Sequence, residues 1–133
     1  MALKLTPAAR ALFDAKNFAN VATLNEDGSP QVSPVWIGYD GEHVIFNTEK
    51  TRLKTRNMKR DPRVVLTVQN FDNLYQYIEV RGKVVEFTAE GGEAGIDAMS
   101  KKYLGQDKYP GNGPGDVRVN VKVAIEHIAG QGI

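Results

Sequence analysis

Cysteine is absent from the 133-residue chain. That excludes disulfides, thiolate nucleophiles, iron–sulfur clusters and cysteine-based zinc sites. Histidine is scarce, with only His43 and His127, so a histidine-rich metal site is not expected and no metal is assigned. No run approaches the ~18 consecutive apolar residues of a membrane-spanning helix. The N-terminal stretch MALKLTPAARALFDAKNF carries charges where a signal peptide has its apolar segment. The expected location is the cytoplasm. Bulk charge of one sign is also missing. A net charge of +1 gives no general pull toward nucleic acid. No familiar catalytic signature appears: no Ser-His-Asp spacing, no GxSxG, no HExxH and no P-loop.

What is present suits one globular domain over residues 1–133, with 41% hydrophobic and 25% charged residues. Thr6 and Pro7 read as the N-cap and first residue of a short amphipathic helix reaching Lys16. Phe18–Leu24 reads as a strand, Asn25–Pro30 as a turn and Gln31–Tyr39 as a second strand. Pro34 lacks an N–H, which places that strand at an edge or bulge. Asp40-Gly41 is a hairpin turn leading to a third strand, His43–Asn47, with His43 expected to be exposed. Thr51–Arg60 reads as a helix stopped by Pro62. Arg63–Gln69 and Tyr75–Phe87 are the fourth and fifth strands, joined by a turn at Phe71–Leu74. Gly82 inside the fifth marks a bulge or a close backbone approach. Thr88 is the expected cap of a helix running to Leu104 with Gly105 behind it. Gln106–Asp116 is a loop and Val117–Ile128 the last strand. His127, just before the tail, belongs to the surface or an interface. Six hairpin-linked strands with two or three helices, an all-β to α+β pattern, predict an antiparallel barrel with helical lids.

Charge is concentrated in one place. Residues 50–63 hold seven of the seventeen Lys and Arg with the single acid Asp61, so this block is +6 and the remainder −5. On a helical wheel Arg52, Arg56, Lys59 and Arg60 share one face, and Leu53, Lys54, Asn57 and Met58 the other, expected to meet the core. A lysine on the inward face and cations at a helix start both oppose normal preference. A bound anion reverses both signs, because free N–H groups with Arg52 and Lys54 make a phosphate or carboxylate site. The alternative is a solvated basic face with Lys54 snorkelling to water. Ser33-Pro34-Val35-Trp36 is the second feature. Proline frees neighbouring backbone groups to face a ligand, and Trp36 either walls a flat ring or fills the core. Phe71, Tyr75 and Tyr77, with Tyr39 and Tyr103, either line a dimer cleft or fill the barrel. With no poised base or nucleophile in the chain, a cofactor that brings its own chemistry fits better than cofactor-free acid–base catalysis.

Ala22-Thr23-Leu24, Asp27-Gly28-Ser29-Pro30-Gln31-Val32-Ser33-Pro34-Val35-Trp36, Thr48 and the run Arg52–Arg63 occur in that order, followed by Glu79-Val80-Arg81-Gly82 and Ser100-Lys101-Lys102-Tyr103-Leu104-Gly105. In these residues the chain resembles the pyridoxamine 5′-phosphate oxidase-like split-barrel superfamily. Within it, the chain is most similar to the actinobacterial branch of F420-dependent flavin/deazaflavin oxidoreductases. The resemblance implies a six-stranded antiparallel split β-barrel with flanking helices, forming a homodimer with two cofactor sites at the subunit interface. Lys54 would bind the cofactor phosphate with Arg52 or Thr48 beside it. Ser33, Pro34, Val35 and Trp36 would run along the ring, and Tyr77 and the last strand would reach in from the partner. Asn57, Arg56 and Gln31 complete the candidate cofactor-binding set. FMN-dependent relatives carry arginine where this chain has Gln31, and Arg-Lys where it has Leu53-Lys54. That thinner clamp favours coenzyme F420 over FMN, its acidic tail matched to the outer basic face. The implied reaction passes a hydride from C5 of the reduced deazaflavin to a small organic acceptor, with no catalytic side chain assigned. The alternatives are an FMN-dependent enzyme, a carrier of FMN, F420 or haem without turnover, and nucleic-acid binding through residues 50–63.

Overall fold

The structure, a computed structural model, describes residues 3–133. Thr6 caps helix α1 (Pro7–Asp14), its side chain accepting from the Ala9 N–H at 3.1 Å. Ala9, Leu12 and Phe13 are the buried stripe of this helix, and it closes one end of the barrel. β1 (Phe18–Leu24) and β2 (Pro30–Trp36) form a hairpin, with Val21 opposite Ser33 and Asn20 opposite Pro34. The chain then passes Ile37 into β3 (Gly38–Tyr39), which pairs with β4 (Val44–Glu49). Helix α2 (Leu53–Arg60) leads to β5 (Arg63–Asn70), β6 (Asn73–Thr88), helix α3 (Gly92–Leu104) and β7 (Arg118–Gln131). No helix among the described residues is long and apolar enough to cross a membrane.

The strands form one antiparallel sheet in the order β2-β1-β5-β6-β7-β4-β3. Its two edges, β2 and β3, are separated in sequence by Ile37 alone. A single residue cannot span an open sheet, so the sheet curls until the edges nearly meet, aided by right-handed twist. β2 and β4 approach each other there without pairing, which is the split of the barrel. Period-two burial fills the interior: Val64, Leu66 and Val68 from β5, and Val119, Val121, Val123 and Ile125 from β7. β6 bends around this core through register shifts at Arg81/Gly82 and Val84/Glu86. A Cβ at Gly82 would lie 2.1 Å from the Ala124 carbonyl oxygen, so the close approach expected from the sequence is present.

The described residues form seven strands rather than six. The predicted strand Gln31–Tyr39 is interrupted at Ile37, where it leaves one sheet edge and joins the other. Thr88 is not a helix cap but the last residue of β6, accepting from the Glu90 N–H at 3.2 Å. α3 starts later because Gly91, at φ 77°, turns the chain and lets Gly92 press on β7, where a Cβ would sit 1.9 Å from the Arg118 carbonyl oxygen. His43 is not freely exposed. Its ring is 23% accessible, held between Asp40 and Glu42. His127 is exposed on β7, as expected. The aromatic residues divide between the two readings: Tyr39 is in the core, whereas Phe71, Tyr75 and Tyr77 lie outside the barrel.

The polar backbone at the split is closed by the end of α3. The Ile37 N–H donates to the Tyr103 hydroxyl at 3.1 Å, and that hydroxyl donates to the Asn17 carbonyl at 2.6 Å. The Lys102 ammonium donates to the carbonyls of Ile37, at 2.8 Å, and Phe13. The other end of α3 is held by two side-chain amides, of which Asn47 is buried. Asn47 Nδ2 donates to the Gly92 carbonyl and to Asn120 Oδ1, both at 2.9 Å, and Asn120 Nδ2 donates to the Gly91 carbonyl at 2.9 Å.

Candidate functional site: a cationic cleft at the split of the barrel

α2 lies across β1 with an unusual buried face. Lys54, Thr55, Asn57 and Met58 point inward, while Leu53 is 45% exposed rather than in the core. The first turn contains no acid, and the cap residue Arg52 makes no side-chain hydrogen bond to the helix. Thr55 and Arg56 donate their N–H groups to the Arg52 carbonyl, so those of Leu53 and Lys54 lie ahead of the first helical bond. This helix start therefore presents positive potential with no acid in its own first turn to neutralise it.

That corner opens into a cleft of about 140 Å3 lined by Phe18, Pro34, Val35, Trp36, Asn47, Arg52, Lys54, Ile96, Met99, Tyr109 and Arg118. Lys54 is 5% exposed and makes one hydrogen bond, from Nζ to the Ser33 hydroxyl at 3.1 Å. Burial pulls its pKa down to about 8, and the nearby charges of Arg52 and Arg118 pull the same way. Arg118 is also 5% exposed. Its Nε donates to Asn47 Oδ1 at 2.8 Å, and its guanidinium carbon stands 5.1 Å from the centre of the Tyr109 ring. Burial lowers its pKa too. Among the described residues, none of Arg52, Lys54 and Arg118 has a carboxylate within ion-pair distance. The carboxylate of this corner, Glu49, is occupied by the Thr51 hydroxyl, the Val117 N–H and the Thr51 N–H, which hold its pKa at about 2.

One wall is aromatic. Trp36 is half-buried, stacked on Tyr103 at 5.2 Å and 5°, and meets Tyr109 edge-on at 5.7 Å. Phe18 contacts Tyr103 edge-on and stacks on Phe71, extending the aromatic surface beyond the cleft. Pro34 lies on the edge strand β2, as its missing N–H requires. A buried lysine with one neutral partner, two arginines and open helix N–H groups beside flat rings can take a planar molecule that carries an anionic group.

The residues singled out from sequence separate into distinct places. Arg52, Lys54, Pro34, Val35 and Trp36 line the cleft, and Ser33 joins through Lys54. Thr48 does not line it. Its hydroxyl is buried 3.0 Å from that of Thr55, beneath α2. Asn57 and Gln31 meet through Thr23 instead: Asn57 Nδ2 donates to the Thr23 hydroxyl, which donates to Gln31 Oε1. Arg56 and Asn57 line a second groove with Asn25, Asp27 and Arg60 that shares no lining residue with the cleft. Tyr77 is exposed on β6 opposite Gln131, away from the cleft of its own chain. Sequence reasoning missed Asn47, Tyr109 and Arg118. For Asn47 and Arg118 the available signal was a polar side chain set in the apolar strand runs VIFNTE and RVNVKV, whereas Tyr109 lies in the loop between α3 and β7.

Comparison with known proteins supports the fold. A solved structure described as an F420 reductase superimposes with a TM-score of 0.82 at 30% identity, covering 94% of this chain and 98% of that one. A conserved hypothetical protein from Mycobacterium tuberculosis has the same fold at 19% identity and TM-score 0.68, covering 94% and 84% of the two chains. HupZ from Group A Streptococcus has it at 18% identity and TM-score 0.67, covering 96% and 94%. The pyridoxamine 5′-phosphate oxidase family matches residues 5–131. That span takes in both sheet edges, α2 and the cleft between them, and by it the chain belongs to the pyridoxamine 5′-phosphate oxidase family.

Proposed function

We propose that this protein is an oxidoreductase that binds coenzyme F420, with FMN as the alternative cofactor, and reduces a small organic acceptor. The observation that carries the reading is Lys54, an ammonium 5% exposed with a single neutral hydrogen-bond partner. Such a group is costly to bury unless an anion completes it. A cofactor phosphate at the start of α2 supplies that anion, gripped by Arg52 and Lys54 and by open backbone N–H groups. Ser33–Trp36 then borders the ring on the unpaired edge of β2. The likeness to an F420 reductase at 30% identity favours the deazaflavin. When bound, that cofactor supplies the hydride. The chain fixes the phosphate, walls the ring with Trp36 and narrows the access of water.

The working form is a homodimer in this reading. A cleft of about 140 Å3 is smaller than the ~300 Å3 lower end of ligand pockets and is open on one side, which favours a second subunit as its outer wall. The partner's Tyr77 and the distal end of its last strand are suited to that task, since Tyr77 and the Gln131 it pairs with do not line the cleft of their own chain. The test is a fluorescence titration of F420 and of FMN into the wild type and Lys54→Ala. One cofactor is expected to bind, and the variant to bind about 1.5–3 kcal/mol more weakly, roughly 10- to 150-fold. Oxidation of the reduced cofactor by quinones, nitroaromatics and enones separates an enzyme from a carrier. Binding without turnover leaves a carrier, and unchanged affinity in Lys54→Ala removes the anchor.

A further inference from the structure

We infer that Arg118 is the acceptor-binding residue of the cleft and that the acceptor is a planar, conjugated organic carboxylate. The inference rests on the proposed cofactor site and adds a second anion to it. Arg52, Lys54 and Arg118 bring three positive charges to one cleft. A cofactor phosphate offsets at most about two of them, and the carboxylates of Glu49 and Asp116 act on Arg118 through space without forming an ion pair with it. The third belongs to a different wall. Arg52 and Lys54 come from α2, whereas Arg118 comes from the start of β7, beside Asn47 and against the Tyr109 ring.

The guanidinium is held for recognition rather than for structure. It is buried to all but 5%, and its one hydrogen bond, from Nε to Asn47 Oδ1, fixes the plane of the fork. Asn47 is itself locked, because its amide donates to the Gly92 carbonyl and to Asn120. The Nη groups are left to the cleft, and a planar fork with two parallel donors matches a carboxylate. Trp36 and Tyr109 meet edge-on beside it and offer flat apolar surface to the rest of the molecule. Tyr109 is positioned from outside, its N–H donating to Asp97 Oδ1 at 2.8 Å. Tyr109 therefore covers Arg118 by a ring contact that an entering carboxylate can replace.

Trp36 is the sole tryptophan of the chain and lines the cleft, so its emission reports binding without turnover. The test titrates benzoate and its neutral analogue benzamide into the wild type, Arg118→Gln, Arg118→Lys and Lys54→Met, with and without bound F420. Circular dichroism verifies that each variant is folded. Wild type is expected to bind benzoate at least about tenfold more tightly than benzamide, whether or not F420 is present. Arg118→Gln is expected to abolish that preference, Arg118→Lys to keep part of it, and Lys54→Met to retain it while losing cofactor affinity. Equal binding of the two probes by the wild type, or a preference that survives Arg118→Gln, overturns the inference. So does a preference lost in Lys54→Met alone, which would make Arg118 a bystander to the phosphate site. Should Arg118→Gln not fold, Arg118→Lys decides by the same comparison. The cofactor titration of the wild type is read separately, so failure of the cofactor site and failure of the carboxylate site give different results.

Discussion

Lys54 titrates near pH 8 because its ammonium has lost water and faces Arg52 and Arg118. In an unfolded chain it titrates near 10.4. The folded protein without ligand thus binds fewer protons between those values, and its stability rises across that interval. Below pH 8 the cost of burying the charge is present in full. Anion binding has the opposite sign, since it needs the charged form. Cofactor affinity is expected to fall as pH climbs through 8, by up to about tenfold per unit. Lys54→Met is expected to flatten this slope. Titrations from pH 6.5 to 9.5 on both proteins check it, and parallel slopes would place the titrating group elsewhere. Gly82 makes a steric point at the same scale. The Ala124 carbonyl sits 2.1 Å from where a Cβ would be, and backbone cannot step aside as a flexible side chain does. Gly82→Ala is expected to cost about 3 kcal/mol in urea denaturation.

At the scale of elements, α3 works as a clasp. Its first turn is tied to β4 and β7 through Asn47 and Asn120, and its last turn fills the split through Lys102 and Tyr103. Tyr103→Phe removes the acceptor for the Ile37 N–H and the donor to Asn17. The expected cost is about 1–3 kcal/mol, together with a change in Trp36 emission because the stacked ring loses its anchor. A loss of stability with unaltered emission would separate the clasp from the cleft. α2 shows how far the sequence was legible. Lys54, Asn57 and Met58 are buried as the wheel predicts, but Leu53 is exposed and Thr55 is buried. At ~100° per residue, this rotates the inward arc by about 50°, half a residue step. The rotation is set by β4, whose Thr48 hydroxyl and Glu49 carbonyl bind the Thr55 hydroxyl. No local pattern in α2 carries that information.

For the whole molecule, hairpins and helices were visible locally because turn residues and period-two patterns mark them. The strand pattern also pointed to a barrel, but not to which edges meet, and so the break at Ile37 between the two edges has no signal in the run Gln31–Tyr39. Arg118 escaped notice for the same reason: it meets Asn47 and Tyr109 only after β7 pairs with β4. The outer surface carries a further expectation. Phe18, Phe71, Leu74 and Tyr75 are 41%, 55%, 58% and 81% exposed, an apolar strip continuous with the cleft through the Phe18–Phe71 stack. Light scattering is expected to give twice the chain mass. Tyr75→Glu, by placing a charge on this strip, is expected to lower the mass toward one chain and to weaken cofactor binding with it. Cofactor binding by a stable monomer would confine the site to one subunit.

The one-residue passage from β2 to β3 has a bearing on self-association. A sheet normally ends in two rims of unsatisfied N–H and C=O groups that can recruit strands from other molecules and seed fibrils. Here the rims are successive segments of one peptide, brought face to face at the split, with Tyr103 and Lys102 occupying the groups of Ile37 between them. Prolines at 30 and 34 remove further donors from the β2 rim. The fold therefore guards against amyloid-like growth through its connectivity, and nicking the backbone at Ile37 would release both templates at once.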